Sequence, residues 1–264
     1  MVRRALITGA SAGTGRSLAH RFARSGFDLV LVARRHELLV QLKAEIERRH
    51  NVGVDIHSAD LRDIRQVNDV YDDAIGDGID LLINNAGLGD WNFVWDVDLD
   101  KYLAMIQLNA IATAMLSTRY VKDMKDVGGC LINVASLAGY ALFPGSIPYS
   151  STKFFVTALT EGLAREVELS GSPLRVKVMT PGPIDTEFTA TSLADTKLPR
   201  SDPSSIVYHS PDEIAEFTYQ LYESDRPVGL VDLETMQFRL SDSLHPVGRL
   251  RNRSTAPPPD IASQ

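Results

Sequence analysis

Short apolar runs alternate with longer stretches of helical periodicity along most of the chain. The runs are rich in Val, Ile and Leu and predict strands at residues 4–8, 28–33, 54–58, 80–84, 130–135 and 175–180. The stretches between them predict helices at residues 13–25, 35–49, 64–76, 98–127 and 147–170. Near-continuous apolar strands are typical of a parallel sheet that helices cover on both faces, because neither face meets water. The pattern therefore predicts an α/β fold, a doubly wound parallel sheet in three layers, in a single domain that covers residues 1–240.

The alternation of strands and helices stops after residue 180. Residues 181–210 are rich in Pro, Ser, Thr and Asp, with only scattered apolar side chains. A long irregular stretch inside a compact domain is usually functional. We expect residues 182–210 to form a lid that closes over the site and excludes water.

The C-terminal part of the chain begins as a helix and ends as a polar tail. Ser210, Pro211 and Glu213 match a capping box, which predicts that a helix starts there. A last short strand is expected at residues 229–233. Residues 241–264 are polar and contain a run of prolines, so we expect a flexible tail, with an arm that binds a partner as the alternative.

Composition and charge restrict the possible partners. The 264 residues carry a formal net charge of −7 at pH 7, and such an acidic field does not favour a nucleic acid or an anionic membrane surface. Cys130 is the one cysteine and lies in an apolar run, which indicates a buried structural thiol. The chain has no apolar run long enough for a membrane span, and its N-terminus lacks the apolar core of a signal peptide. We therefore expect a cytoplasmic protein without a bound metal.

A glycine-rich turn follows the first predicted strand and opens the first predicted helix. It contains Gly9, Gly13 and Gly15 in the spacing GxxxGxG, one variant of the dinucleotide fingerprint. Gly9 allows the tight turn, Gly13 lets the backbone approach a pyrophosphate, and Gly15 lets helix and strand pack closely. The helix N-terminus adds a positive pole. This context favours dinucleotide binding over an ordinary turn.

The end of the second predicted strand distinguishes between cofactors. An NAD site places an acidic residue there, on the ribose 2′-hydroxyl, whereas this chain has Ala33, Arg34 and Arg35. Because an arginine suits the 2′-phosphate of NADP, we predict NADP(H) as the cofactor and Arg34 as a ligand of that phosphate. Arg35 is equally well explained as a second ligand of that phosphate or as an ordinary residue in the first turn of an exposed helix. Ser11 is a further candidate donor to the phosphate; the alternative is that its hydroxyl makes hydrogen bonds only within the turn.

Tyr149 and Lys153 stand four residues apart, and Tyr149 follows Ser136 by thirteen residues. On a helix this spacing places the phenol and the ammonium on one face, where the cation favours the phenolate and lowers the pKa of the tyrosine. A tyrosine of that kind can exchange a proton with an alcohol or a carbonyl near neutral pH. The same spacing also occurs on solvated helix faces, so the pair indicates hydride-transfer chemistry only together with the dinucleotide turn.

These motifs follow one another in the order found in the short-chain dehydrogenase/reductase family, which the chain resembles over residues 3–190. The matching positions are the glycine turn, Asp60 with Leu61, residues 84–87 (Asn-Asn-Ala-Gly), Asn109, Ser136, Tyr149 with Lys153, and residues 181–186. Thr14 departs from the family, which usually carries an aliphatic residue there. The resemblance implies a Rossmann-type fold, an oxidoreductase of CH–OH donors with NADP (EC 1.1.1.-), and a homodimer or homotetramer built through the two longest predicted helices.

The resemblance also implies catalytic roles. Tyr149 would give the proton to the carbonyl oxygen, and Ser136 would hydrogen-bond that oxygen and stabilise its growing negative charge. Lys153 would hold the nicotinamide ribose and lower the pKa of Tyr149. Asn109 would anchor a water that passes protons to Lys153. Judged alone, Ser136 is equally well explained as the cap of a turn, and Asn109 as the filler of a polar gap.

Further positions are implied as cofactor contacts. Asp60 would bind the adenine amino group, with Leu61 beside the ring, and Ile184 and Thr186 would contact the nicotinamide carboxamide. The full predicted set is Gly9, Ser11, Ala12, Gly13, Thr14, Gly15, Arg34, Asp60, Leu61, Asn85, Ala86, Gly87, Tyr149, Lys153, Pro181, Gly182, Ile184 and Thr186.

The substrate is a small molecule with a carbonyl/alcohol pair, and two groups of aromatic residues are candidates for its pocket. Tyr140 and Phe143 follow Ser136, and Trp91, Phe93 and Trp95 alternate in the loop after the fourth predicted strand. Such walls favour a bulky, largely apolar ketone, which the NADPH pool would reduce. Packing beneath the loops explains the second group equally well.

Two other functions remain open. A dehydrogenase of a small 3-hydroxy acid or 3-hydroxy amino acid is one, because residues 231–237 are similar to the ending of family members that act on such substrates. A non-catalytic NADP-sensing regulatory protein is the other. The presence of Asn109, Ser136, Tyr149 and Lys153 together counts against the sensor, which would be free to lose them.

Overall fold

The computed structural model describes residues 2–75, 78–199 and 206–248. Residues 200–205 of the predicted lid, residues 249–264 of the predicted tail and the end of the helix predicted at 64–76 lie outside the described residues. Within the described ranges, no helix is both long and apolar enough to cross a bilayer.

In the part of the chain that the structure describes, eight strands form one sheet. They are β1 (Arg4–Thr8), β2 (Asp28–Ala33), β3 (Val54–Ser58), β4 (Leu81–Asn84), β5 (Cys130–Val134), β6 (Arg175–Thr180), β7 (Val228–Val231) and β8 (Phe238–Ser241). Their order in the sheet is β3-β2-β1-β4-β5-β6-β7-β8, and every pairing is parallel except that of β8 with β7. All residues of the central strands β4 and β5 are buried, as near-continuous apolar strands require.

The helices are α1 (Gly13–Arg24), α2 (His36–Arg49), α3 (Ile64–Ile75), α4 (Leu99–Met105), α5 (Thr113–Met124), α6 (Ile147–Leu169), α7 (Glu187–Ser192) and α8 (Pro211–Glu223). Helices α1, α2 and α8 pack on one face of the sheet, around buried side chains such as Phe22, Leu42 and Leu221. Helices α3, α5 and α6 cover the other face. The prediction of a three-layer, doubly wound sheet is confirmed.

The crevice of the fold lies between β1 and β4. The chain winds from β1 through β2 to β3 on one side, and then crosses to β4 and winds outward on the other. At this reversal the loops that follow β1 and β4 run to opposite faces and leave a cleft outside the carboxyl ends of the strands. The glycine turn and residues 85–87 therefore face each other across the cleft.

Three elements differ from the predictions. The helix predicted at 98–127 consists of α4 and α5 joined by a π-helical segment, Ile106–Ala112. Helix α7 lies inside the stretch predicted to be irregular, and β8 was not predicted at all. Strand β8 is a short antiparallel edge strand with half of its side chains exposed, so the long apolar run that marks the parallel strands is missing from it.

The predicted capping box at the start of α8 is confirmed. The Ser210 hydroxyl accepts from the backbone N–H of Glu213 at 3.2 Å, and the Glu213 carboxylate accepts from the backbone N–H of Ser210 at 2.8 Å. The reciprocal bonds satisfy two donors that a helix start otherwise leaves unpaired.

Candidate active site

Three glycines shape one wall of the cleft. Gly9 and Gly13 have φ values of 69° and 50°, in the left-handed region that favours glycine. A Cβ on Gly15 would lie only 2.1 Å from the carbonyl oxygen of Gly9. Ala12 is the N-cap of α1 and makes no side-chain hydrogen bond, so no side chain of the cap competes for the amides of the first turn, where Thr14 lies. The turn has the space and the donors that a pyrophosphate requires.

The loop after β4 forms the opposite wall. The Thr8 hydroxyl accepts from the backbone N–H groups of Asn85 and Ala86 at 2.9 and 3.0 Å. The Asn85 side chain donates back to the Thr8 carbonyl at 3.0 Å. A Cβ on Gly9 would lie 2.9 Å from the Cα of Ala86, so the two walls approach each other as closely as glycine allows.

The segment after β6 closes the third side of the cleft. Thr186 lies against the glycine turn, because its Cγ2 would be 3.1 Å from a Cβ on Gly13. Ile184 is held by a parallel bridge to His209, whose backbone N–H donates to the carbonyl of Pro183 at 3.0 Å. The predicted contacts at 184 and 186 therefore lie at the same cleft as the glycine turn.

Arg35, rather than Arg34, contacts the glycine turn. The Arg35 guanidinium donates from Nε and Nη2 to the Ser11 hydroxyl, both at 3.3 Å, and its Nη1 lies 2.8 Å from Glu187 Oε2. Arg34 is exposed, and its backbone carbonyl accepts from the Ser58 hydroxyl at 3.1 Å. The sequence singled out Arg34 and left Arg35 open, whereas the structure brings Arg35 to the turn.

Asp60 and Leu61 follow β3 at the other end of the cleft. The Asp60 carboxylate accepts from Nε of Arg62 at 3.0 Å through both oxygens. These hydrogen bonds, with smaller contributions from the charges of Arg62 and Arg34, hold the pKa of Asp60 below its usual value. Leu61 is buried. The predicted adenine contact of Asp60 would therefore be shared with Arg62.

Tyr149 and Ser136 lie side by side at the inner end of the cleft. Tyr149 is in the first turn of α6 and is 6% exposed. Ser136 follows β5, and its hydroxyl accepts from the backbone N–H of Ala138 at 3.2 Å. Burial raises the pKa of Tyr149 to about 12, and a hydrogen bond with the Ser136 side chain acts in the opposite direction. The phenol is therefore protonated near neutral pH in this structure.

Lys153 lies one helical turn after Tyr149 and is also buried. Its Nζ donates to the carbonyl of Val134 at 3.0 Å and is 5.7 Å from the centroid of the Tyr149 ring. Burial lowers the pKa of Lys153 to about 8. The sequence led us to expect that the ammonium lowers the pKa of Tyr149. Burial has the larger effect: it disfavours the charged form of each group, so it raises the pKa of Tyr149 and lowers that of Lys153. The ammonium donates its hydrogen bond to a backbone carbonyl.

Asn109 holds the loop that leads from β4 to the catalytic candidates. It lies in the π-helical segment and is 1% exposed. Its side chain accepts from the backbone N–H of Leu88 at 2.8 Å, and donates to the carbonyl of Leu88 at 2.8 Å and to the hydroxyl of Thr152 at 3.0 Å. A Cβ on Gly87 would lie 3.4 Å from Asn109 Oδ1 and 3.7 Å from Lys153 Nζ, so these three residues meet.

The surroundings of Tyr149 are apolar. Its ring clusters with Met105, Ala138, Leu88, Tyr102 and Phe143. The ring of Phe188, from α7, lies 5.8 Å away between centroids. Phe143 thus lies beside the candidate site. Tyr140 does not, because its hydroxyl donates to the buried carboxylate of Glu161 and its ring packs with a separate apolar cluster.

The described part of the predicted lid packs on two loops at the mouth of the cleft. The Thr196 hydroxyl donates to the carbonyl of Trp91, and the backbone N–H of Lys197 donates to Asn92 Oδ1 at 2.9 Å. Leu198 reaches the other loop, since its Cδ1 would lie 2.5 Å from a Cβ on Gly145. Phe93 and Trp95 stack on each other at 4.9 Å and are 40% and 77% exposed, so they do not pack beneath the loop.

The first residues of the predicted tail are anchored to α6. The Glu161 carboxylate is 3% exposed and accepts from the backbone N–H groups of Leu244 and His245 at 2.6 and 2.9 Å, besides the hydroxyl of Tyr140. His245 also hydrogen-bonds Thr157 through Nε2 at 3.0 Å. No local pattern in the sequence indicates this contact, because its partners are more than 80 residues apart.

The β7–β8 hairpin also reaches the cleft. A Cβ on Gly182, which follows Pro181 at the end of β6, would lie 2.9 Å from Cε of Met236. Met236 has a φ of 56°, and its turn is held by Asp232, whose carboxylate accepts from the backbone N–H of Thr235 at 3.0 Å. Met236, which lies within residues 231–237, therefore borders the site.

Comparison with known proteins agrees with the fold and the motifs. The family model described as short chain dehydrogenase matches residues 3–197. Sulfoacetaldehyde reductase 2 of Chromohalobacter salexigens is 36% identical over 70% of this chain and 73% of its own length. The NADP-dependent 3-hydroxy acid dehydrogenase of Schizosaccharomyces pombe is 31% identical over 88% of this chain and 91% of its own. A short-chain dehydrogenase from Sphingobium yanoikuyae, solved in complex with NADPH, superposes with a TM-score of 0.77 at 30% identity, covering 88% of both chains.

Proposed function

The chain belongs to the short-chain dehydrogenase family, and we propose that it is an NADP(H)-dependent oxidoreductase that transfers a hydride between the nicotinamide and a carbonyl/secondary alcohol pair. The observation that carries the proposal is the meeting of Ser136 with the buried side chains of Tyr149 and Lys153 at the inner end of a glycine-walled cleft. Proteins of this family with NADPH bound share the fold.

The side chains at the cleft supply what a carbonyl reduction needs besides the hydride, which bound NADPH provides. Tyr149, protonated near neutral pH, gives its proton to the carbonyl oxygen. Ser136 donates a hydrogen bond to the same oxygen and stabilises the negative charge that develops there. Lys153 holds the nicotinamide ribose, and its ammonium stabilises the phenolate that remains on Tyr149. Asn109 fixes the loop at Gly87, and with it the distance between the cofactor wall and these groups.

Arg35 and Arg34 support NADP over NAD. Both side chains lie at the end of β2, where an NAD site needs an acidic residue, and the Arg35 guanidinium already contacts Ser11 on the glycine turn. Planar guanidinium groups bind phosphate through two parallel hydrogen bonds. We propose that Arg35 and Ser11 hold the 2′-phosphate, with Arg34 adding positive charge beside it.

A bulky, largely apolar ketone is the proposed substrate, and reduction the proposed direction. Phe143 and Phe188 lie beside the Tyr149 ring and would contact the substituents of such a ketone. The second candidate is a small 3-hydroxy acid or 3-hydroxy amino acid. The likeness to the Schizosaccharomyces pombe 3-hydroxy acid dehydrogenase over 88% of the chain favours it, as does the position of Met236 beside Gly182.

Three further properties are proposed with this activity. Residues 1–240 act as one catalytic domain, and the protein works in the cytoplasm. It forms a homodimer or homotetramer through the faces of α4, α5, the π-helical segment between them, and α6, where Ile111 and Phe155 are 38% and 43% exposed. Leu163, by contrast, packs in the core.

An assay that follows NADPH oxidation with carbonyl compounds and NADP+ reduction with alcohols tests the proposal. The panel contains apolar ketones, short 3-keto acids and their reduced partners, and the variants are Tyr149→Phe and Tyr140→Phe. We expect Tyr149→Phe to lower kcat by about 10²- to 10⁴-fold, because it removes the proton donor. Tyr140→Phe removes a tyrosine hydroxyl that donates to Glu161 outside the cleft and should keep most of the activity.

The same assay separates the alternatives. Turnover of 3-hydroxy acids in preference to ketones would select the second candidate substrate. NADPH binding without turnover of any panel member would favour the sensing protein. Activity that is unchanged in Tyr149→Phe would overturn the catalytic assignment.

A further inference from the structure

An ion pair spans the cleft at the end that faces β2. Arg35 follows β2 and lies on the side of the glycine turn, whereas Glu187 is the first residue of α7 on the opposite side. Their charged groups are 2.8 Å apart, and the same guanidinium donates to Ser11. Thr186, the neighbour of Glu187, lies against Gly13, which fixes the start of α7 close to the turn.

The carboxylate of Glu187 therefore pairs with the Arg35 guanidinium, which the proposed function assigns to the 2′-phosphate. A phosphate dianion that approaches Arg35 meets a negative charge already hydrogen-bonded to it. The phosphate must either displace Glu187 or bind beside it against like-charge repulsion. A nucleotide without a 2′-phosphate meets neither obstacle.

We propose that Glu187 is a specificity-determining residue that weakens the binding of the 2′-phosphate. The inference rests on the proposed use of NADP. By competing for Arg35, Glu187 makes the preference for NADP over NAD smaller than Arg35 and Ser11 alone would give. Glu187 acts on the cofactor through Arg35, and the effect is confined to nucleotides that carry the 2′-phosphate.

The size of the effect follows from the exposure of the pair. The Arg35 and Glu187 side chains are 47% and 67% exposed, so solvent screens their attraction. Exposed pairs of this kind contribute up to about 1 kcal/mol, which corresponds to a change in dissociation constant of about two- to fivefold. Because the interaction is between charges near the surface, the effect should shrink as the salt concentration rises.

Calorimetric titration of the full chain with adenosine 2′,5′-bisphosphate and with 5′-AMP tests the proposal without any turnover. Glu187→Gln should tighten the binding of the bisphosphate by about two- to fivefold and leave that of 5′-AMP unchanged. Glu37→Gln is the matched control, because it removes the same charge from an exposed position two residues after Arg35. It should leave the ratio of the two affinities unchanged.

A double-variant cycle shows whether Glu187 acts through Arg35. Arg35→Ala should weaken the binding of the bisphosphate. Adding Glu187→Gln to Arg35→Ala should cause no further change in that affinity. The role of Glu187 would be overturned if Glu187→Gln raised the affinity for both nucleotides equally, raised it for neither, or weakened the binding of the bisphosphate. If wild-type protein binds the two nucleotides equally well, the proposed choice of NADP fails, and the role of Glu187 fails with it. A wild-type preference for the bisphosphate that Glu187→Gln does not change overturns the role of Glu187 alone.

Discussion

The ammonium nitrogen of Lys153 lies 5.7 Å from the ring centroid of Tyr149, and both side chains are almost completely buried. Burial disfavours the charged form of each, so it raises the pKa of the phenol to about 12 and lowers that of the ammonium to about 8. The pair therefore keeps a proton on the tyrosine at neutral pH, and folding must bury the charge of the Lys153 ammonium.

Lys153→Met should therefore stabilise the fold while it abolishes the activity. The folded-state pKa of Lys153 is lowered from 10.5 to about 8, so at pH 7 folding buries a charge that the unfolded chain leaves in water. We expect the free energy of unfolding at pH 7 to rise by about 1–3 kcal/mol in the variant. Between pH 8 and 10.5 the unfolded state binds more protons, so the contribution of Lys153 to wild-type stability increases with pH there. Urea unfolding at several pH values should show the difference between variant and wild type narrowing toward pH 10. A variant that is less stable at pH 7 would contradict the assigned burial penalty.

Asn109→Ala should loosen the loop after β4. The substitution leaves the backbone N–H and carbonyl of Leu88 without their partners, and unpaired buried groups reduce stability by about 1–3 kcal/mol each. We expect a lower free energy of unfolding together with a lower kcat, since the loop carries Gly87 beside Lys153. Chemical denaturation and steady-state kinetics measure the two effects. Asn51→Ala, at an exposed position, is the control and should remain within about 0.5 kcal/mol of wild type.

Gly15→Ala should weaken cofactor binding. The new methyl group would lie 2.1 Å from the carbonyl oxygen of Gly9, so the turn would have to move away from its present position. Fluorescence titration with NADPH should show at least a tenfold loss of affinity, or about 1.4 kcal/mol. Gly162→Ala is the matched control, because a Cβ there meets nothing within 4 Å inside α6. It should stabilise the helix by roughly 0.5–1 kcal/mol and leave NADPH binding unchanged.

Phe155→Glu should dissociate the proposed homo-oligomer. Phe155 is 43% exposed on α6, and a charge in the centre of an apolar interface is unfavourable when it is buried there without a partner. Light scattering coupled to gel filtration should show a smaller mass than for wild type. Val127→Glu places the same charge on an apolar residue that is 74% exposed and lies outside α4, α5 and α6. That variant should keep the wild-type mass, and a monomeric wild type would contradict the proposed assembly.

The sequence was sufficient to predict the parts of the fold that repeat a strong local pattern. Strands such as β2 and β6 are runs of apolar residues because helices cover both faces, and this requirement is visible in a single sequence. The glycine turn could also be predicted from the sequence. A Cβ at Gly9 or Gly15 would clash with backbone, so the spacing of the residues reflects the geometry directly.

Features that depend on distant contacts could not be predicted in this way. Whether Arg34 or Arg35 reaches the glycine turn depends on where Ser11 and Glu187 lie, 24 and 152 residues from Arg35. The pKa of Tyr149 was predicted in the wrong direction because spacing on a helix shows proximity to Lys153 but not burial. Tyr140 was a candidate for the pocket, but its hydroxyl donates to Glu161, which lies farther along α6 than Tyr149.

The π-helical segment Ile106–Ala112 corresponds to one extra residue accommodated in an otherwise continuous helix. The wider winding of this segment directs the side chain of Asn109 toward the loop after β4. Removal of one residue from this segment would restore regular winding and rotate one half of the helix by roughly 100° relative to the other. Asn109 would then no longer face Leu88, and the backbone groups of Leu88 would lose the two hydrogen bonds that Asn109 makes with them.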